Sequence, residues 1–261
     1  MIKPHGSDAL NPLYVMDAKE RAALAQEAEK LPPLLVSSAA AANAVMMGAG
    51  YFNPLGGYMG LADSLSVADH LRTASGLFWP VPIVNVVKDA SAIRGKKRIA
   101  LRDPNVEGNP VIAVQDVTAV EQASPEQMEH MTKKIFRTAD PKHPGVAAFN
   151  SVGSTMISGP IQVLNFSYFE KEFPATFRTA YQLREQMRAL GWNKVVAFQT
   201  RNPMHRAHEE LCRMAYRDLG ADGILIHMLL GRLKPGDIPA NVRDQAIRKM
   251  VEVYFEKNTV I

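Results

Sequence analysis

The sequence predicts an α/β protein built in two parts, and three observations predict it. Short runs of β-branched and aromatic residues, separated by turn chemistry, dominate the first part. Strand and helix patterns alternate in the last third of the chain, which implies a parallel sheet with right-handed crossovers. The composition changes between these textures, around Phe169 to Pro174. We therefore divide the chain into residues 1–170 and residues 171–261. With 261 residues, 47% of them hydrophobic, there is enough chain for two modest cores.

Taken in order, residues 17–30 have helical composition and are stopped by Pro32 and Pro33. Residues 34–36 are extended. Ser37 or Ser38 can cap an alanine-rich helix that Gly48 and Gly50 end. Residues 51–60 combine Tyr51, Phe52 and Tyr58 with Pro54 and three glycines, and read as an ordered loop that plugs the first core. Residues 81–87, 98–102 and 110–117 are expected strands. Arg94, Lys96, Lys97 and Arg98 form a solvated hairpin tip, since no aromatic platform for a nucleic-acid strand is interleaved with them. Ser124-Pro125-Glu126-Gln127 is a capping box that opens a helix to about Phe136. Residues 142–146 are expected to form a loop and residues 158–166 the last strand of this part. His130 and His143 read as surface residues.

In the second part, Phe173, Phe177, Ala180, Leu183, Met187 and Leu190 trace one apolar helix face that ends at Gly191. Residues 195–198 then read as a strand, 203–219 as a helix closed by Gly220, and 224–230 as a second strand. The loop Gly231-Arg232-Leu233-Lys234-Pro235-Gly236-Asp237-Ile238 leaves that strand on the same sheet edge, and Arg243 follows on the next helix. Residues 257–261 begin a further strand.

Composition excludes several function classes. A net charge of +4, spread along the chain, does not argue for nucleic acid and suits anionic small substrates. The single cysteine, Cys212, rules out an internal disulfide and reads as a buried, inert thiol. The N-terminus lacks the apolar stretch of a signal peptide, and the run at residues 39–50 is too short and broken to cross a bilayer. The cytoplasm is the expected location, with no membrane partner.

The chemistry gathers at Gln199-Thr200-Arg201-Asn202-Pro203-Met204-His205-Arg206-Ala207-His208, between strand and helix. Asn202 suits the N-cap and Pro203 the first helical position, which puts His205 in the first turn and His208 on the same face. A helix N-terminus beyond the carboxyl end of a parallel strand offers free N–H groups and the positive end of a dipole. Arg201 adds a planar fork for two oxygens of one oxyanion. The local expectation is an anion site. The histidine pair lacks a third ligand at zinc spacing, so no protein-held metal is expected.

Gln199-Thr200-Arg201-Asn202-Pro203 followed by His205-Arg206-Ala207-His208 closely resembles the signature of the sulfate adenylyltransferase, or ATP sulfurylase, family. The His-x-x-His half is common to a wider superfamily of nucleotidyltransferases; the preceding five residues narrow it to this family. The Lys-Pro-Gly-Asp-Ile stretch at residues 234–238 is also similar to the family's. The resemblance covers essentially the whole chain. It implies an N-terminal β-rich PUA-like barrel over residues 1–170 and the first portion of a Rossmann-like nucleotidyltransferase domain over residues 171–261. It further implies the reaction of ATP with sulfate to give adenosine 5′-phosphosulfate and pyrophosphate, or the reverse, with Mg²⁺ accompanying ATP.

Carried over residue by residue, Gln199 and Arg201 match positions that hold sulfate. Thr200 and Asn202 match positions that hold the nucleotide phosphates and orient the reactants, while His205 and His208 match the pair that contacts ATP phosphates and stabilises developing charge. All six fall in the implied ATP site, and a homodimer is the implied assembly. The family is longer by a C-terminal portion that carries a Gly-Arg-Asp-His stretch, so this chain is expected to be truncated. A non-catalytic anion- or nucleotide-binding fragment, or another nucleotidyltransferase of the superfamily, are the alternative readings.

Overall fold

The computed structural model describes residues 2–230 and 236–261. Two compact units make up the chain, Pro4–Tyr168 and Phe169–Ile261, the second also including Ile2 and Lys3.

The first unit begins with helix α1 (Ala18–Ala28), capped by Asp17, whose carboxylate accepts from the Lys19 and Glu20 amides. Strand β1 (Pro33–Leu35) and helix α2 (Ser38–Gly48, capped by Ser37) follow. Next come β2 (Gly57–Tyr58), α3 (Leu61–His70) and β3 (Val86–Val87). Strands β4 (Arg98–Arg102), β5 (Val111–Asp116) and β6 (Ala119–Gln122) lead into helices α4 (Pro125–Phe136) and α5 (Pro144–Ser151) and the long strand β7 (Thr155–Val163). All seven strands form one sheet, with β1-β4-β5-β7-β2 as its path and β3 and β6 also paired to β7.

Strand β7 curls this sheet. Its first half pairs with β6 and β3 and its second half with β5, while Gly159 and Pro160 face β2. Gly159 has φ +134°, and a Cβ there would lie 2.0 Å from the Asp116 carbonyl oxygen. Only glycine lets the strand bend across its neighbours at that point. Helix α1 covers one cluster through Leu24 and Ala28, set against Ala100, Val111 and Val114. Helices α3 and α4 cover a second, in which Ala68, Met128 and Met131 meet Val86 and Met156.

Several expectations for this unit need correction. The strand expected over residues 81–87 shortens to Val86–Val87; Pro80 and Pro82 remove donors a ladder needs. The expected loop at 142–146 contains the start of α5, where the His143 Nδ1 accepts from the Val146 amide and Pro144 opens the first turn. The last strand runs over 155–163 and not 158–166. The loop at 51–60 includes β2, and its Tyr58 hydroxyl, buried, donates to the Ala40 carbonyl at 2.7 Å. Helix α3 and strand β6 carried no sequence signal strong enough to be predicted. Arg98, placed in the hairpin tip, instead ion-pairs with Glu27 and Asp116.

The second unit holds α6 (Phe169–Glu172), α7 (Ala180–Ala189), β8 (Val195–Thr200), α8 (Arg206–Asp218), β9 (Gly223–Met228) and α9 (Ala240–Tyr254). The helix expected from Phe173 to Leu190 is thus shortened to α7. Phe173 and Phe177 lie between α6 and α7, Pro174 follows the end of α6, and Thr179 starts α7 with a reciprocal capping box to Gln182. Strands β8 and β9 are parallel, from Val195 opposite Gly223 to Thr200 opposite Met228. The other side of β9 bonds to the last residues, with Ile224 N donating to Thr259 O at 2.8 Å and Ile226 N to Ile261 O at 2.9 Å.

Two contacts set the register at the start of both strands. The Asp222 carboxylate accepts from the Asn193 and Lys194 amides at 2.8 Å each, and these bonds hold its carboxyl below the usual carboxylate range. The buried Trp192 ring lies against Gly223, where a Cβ would come within 2.3 Å of it. Both features fix the far end of the strands, so their carboxyl ends carry the loops of interest.

Candidate functional site

The chain leaves β8 at Thr200 in a tight turn. The Thr200 hydroxyl accepts from the Asn202 amide at 3.1 Å and donates to the Asn202 carbonyl at 2.9 Å. Thr200 is buried, and Gln199 beside it is exposed, as strand alternation requires. The Asn202 carbonyl accepts from the Thr200 hydroxyl and, among the described residues, from no helical amide. The expected start at Asn202 and Pro203 is therefore displaced: α8 begins at Arg206, with His205 as the N-cap in extended conformation.

His205 and His208 then stand at N-cap and N3, the spacing of a capping box. The His208 Nδ1 accepts from the His205 amide at 3.3 Å, and the two ring centroids are 3.9 Å apart. Phe198, from β8, supports the His208 ring at 5.7 Å between centroids. The His205 carbonyl takes the His208 and Glu209 amides, and among the described residues the Arg206 and Ala207 amides have no backbone acceptor. Two free donors thus sit at the positive end of a 13-residue helix.

Arg201 is held from both ends. Its Nη2 donates to Asp237 Oδ2 at 2.5 Å, with the arginine side chain 37% and the aspartate 16% exposed. Its carbonyl accepts from Arg243 Nη1 at 2.6 Å. Neither Asp237 nor Arg243 was assigned a role from the sequence. Both follow strand β9, and only the parallel pairing of β8 with β9 brings them to the turn. Asp237 belongs to the Lys-Pro-Gly-Asp-Ile stretch at 234–238, of which residues 234 and 235, with 231–233 before them, lie outside the described residues.

Beneath the first turn of α8, Glu209 is buried between Arg206 at 2.5 Å and Arg213 at 2.8 Å. The two guanidinium groups lie over the Tyr254 and Phe255 rings, so the cluster fastens α8 to the end of α9. Cys212, on the same helix, is buried, and burial pushes its thiol pKa up, which leaves it a poor nucleophile. A concave patch lined by Arg178 and by Gln182 and Glu185 of α7 includes no residue of the signature.

The assembled turn offers amide, guanidinium and imidazole donors with few acceptors, a set suited to oxyanions. Among the described residues no group of three or more His, Cys, Asp and Glu side chains is placed to hold a metal ion. Nor is any described helix long and apolar enough to cross a membrane.

Comparison with known proteins divides the chain in the same sense. The PUA-like domain family matches residues 2–166, and the ATP-sulfurylase family matches residues 175–261. The sulfate adenylyltransferase of Alcanivorax borkumensis is 66% identical over 261 residues, which is all of this chain and 65% of that protein. That of Allochromatium vinosum is 63% identical over the whole chain and 66% of its own length. The chain therefore spans about two thirds of the length of these relatives. A solved structure described as a hexameric APS kinase from Thiobacillus denitrificans superposes with a TM-score of 0.74 over all of this chain and 46% of its own. Its 24% identity makes it a likeness of fold.

Proposed function

We propose, from the premise that this chain belongs to the sulfate adenylyltransferase family, that the protein transfers the adenylyl group of ATP to sulfate. One sulfate oxygen bonds to the α-phosphorus, the bond from that phosphorus to the bridging oxygen of the β-phosphate breaks, and pyrophosphate leaves. The product is adenosine 5′-phosphosulfate; the reverse makes ATP. Sulfate is already deprotonated at neutral pH, so no general base is needed. The task left to the protein is to place two mutually repelling anions in line and to offset the charge that develops.

The observation that carries this reading is the Gln199–Asn202 turn at the carboxyl end of a parallel strand, followed at once by two imidazoles with centroids 3.9 Å apart. Arg201 has further N–H donors beyond the one engaged with Asp237, and these, with the exposed Gln199 amide, hold sulfate. Thr200 keeps the turn in shape, which supports exposed Asn202 in reaching the phosphates. His205 and His208, with the free Arg206 and Ala207 amides, stabilise charge on the α-phosphoryl group and on departing pyrophosphate. ATP is taken as its Mg²⁺ complex, in which the ion belongs to the substrate and is held by phosphate oxygens. The chain works in the cytoplasm as a homodimer in this reading.

The test is sulfate-dependent exchange of pyrophosphate into ATP, run on the full-length protein and on residues 1–261 side by side. Exchange that requires sulfate supports the reading. Nucleotide binding without any such exchange in the full-length protein would move it to a binding module, and exchange driven by a different oxyanion would move it to another nucleotidyltransferase.

A further inference from the structure

We infer that Arg243 is a positioning residue for the oxyanion site, acting through the backbone of Arg201; the inference rests on the role proposed above for Arg201. Arg243 lies near the start of α9 and is 2% exposed. Its Nη1 donates to two carbonyl oxygens, those of Arg201 and Leu229, at 2.6 Å each. These residues are close behind the ends of β8 and β9. One nitrogen with two hydrogens therefore ties together the exits of two parallel strands, next to the Leu229 amide that donates to the Thr200 carbonyl at 2.9 Å.

A clamp of this kind needs only a neutral donor, yet the residue is an arginine. Among the described residues no carboxylate pairs with it: Asp237 goes to Arg201, Asp244 to Arg248, and Glu209 to Arg206 and Arg213. Its Nε is buried without an acceptor. Burying a guanidinium without a counter-ion is unfavourable for folding alone. Beneath a turn that receives sulfate and a polyphosphate, the same charge is favourable, because a positive field in a medium of low dielectric acts on anions a few ångströms away. Arg243 thus sets the direction in which Arg201 leaves the strand and supports the positive potential of the turn, without touching substrate.

The experiment is a double-mutant cycle on the full-length enzyme together with hydrogen exchange. Arg243→Met should lower kcat/KM for sulfate by about ten- to a hundred-fold, the loss expected for charge-assisted hydrogen bonds. In an Arg201→Ala background the same change should cost less than about three-fold, since the group it positions is gone. Full multiplication of the two losses would overturn the inference. Independently of activity, the Asn202 and Leu229 amides should exchange at least about ten-fold faster in Arg243→Met than in wild type, and unchanged exchange would overturn it as well. Should Arg243→Met fail to fold, Arg243→Lys, which keeps the charge and the N–H donors, should stay within about three-fold of wild type in both measurements, and a loss as large as that expected of the methionine variant would overturn the inference. Arg201→Ala with wild-type kinetics would refute the role of Arg201, while the exchange rates would still decide whether Arg243 holds the turn.

Discussion

Replacing Arg201 with alanine separates the chemistry of the turn from its stability. The ion pair with Asp237 is short, at 2.5 Å, but the arginine side chain is 37% exposed, so its loss should cost at most about 1 kcal/mol of folding free energy. The melting temperature should fall by no more than about 4 °C. Against that, two charge-assisted hydrogen bonds to a dianion at about 1.5–3 kcal/mol each amount to roughly 3–6 kcal/mol. At about 1.4 kcal/mol per factor of ten, kcat/KM for sulfate should drop by about two to four orders of magnitude. The assay is sulfate-dependent pyrophosphate exchange in the full-length protein, with a thermal melt on each variant. Turnover within about three-fold of wild type would refute the sulfate role, and a melting temperature lowered by more than about 10 °C would make Arg201 a structural residue.

Four further substitutions, at three residues, probe other groups. His208→Ala should lower kcat by at least about ten-fold while changing the ATP dissociation constant less than about three-fold; His208→Asn, able to accept from the His205 amide, should keep the stability but not the turnover. Equal losses in kcat and affinity would assign His208 to ground-state binding. Glu209→Gln leaves two arginines without their shared charge and should destabilise by about 2 kcal/mol, seen as a lower urea midpoint at unchanged slope; an unchanged midpoint would show that the cluster is only a surface pair. Asp222 has a folded pKa below its unfolded value, so its contribution is present above the ordinary carboxylate pKa of about 4 and is lost as pH falls through the lower folded value. Asp222→Asn should remove that part of the acid slope in melts between about pH 2 and 6, and identical slopes for the two proteins would contradict the assignment.

The correspondence between sequence and structure differs by kind of signal. Ser124-Pro125-Glu126-Gln127 gave the start of α4 correctly, because a capping box with proline at the first position is satisfied within four residues. Asn202-Pro203 offered the same local chemistry and misled. There the Asn202 carbonyl accepts from the Thr200 hydroxyl and that of Arg201 from Arg243, and the helix begins only after His205. The spacing of His205 and His208 was itself a cap signal, legible once Asn202 was set aside. Residues 173–190 failed for a related reason: the apolar spacing includes Phe173 and Phe177, which lie between α6 and α7, since hydrophobic spacing does not register Pro174 or the helix start that Thr179 sets.

By itself the sequence determined what lies along the chain: the parallel β8–α8–β9 alternation, and a signature that falls within the stretch the ATP-sulfurylase family matches. Tertiary structure decided what surrounds them. Asp237 and Arg243 reach Arg201 from 36 and 42 residues away, and Glu209 becomes a buried hub only because α9 closes over α8. Caps and periodicities are satisfied within a turn or two and so are written locally. The partner of a buried charge is chosen by which strand lies beside which, and that is set only when the sheet forms.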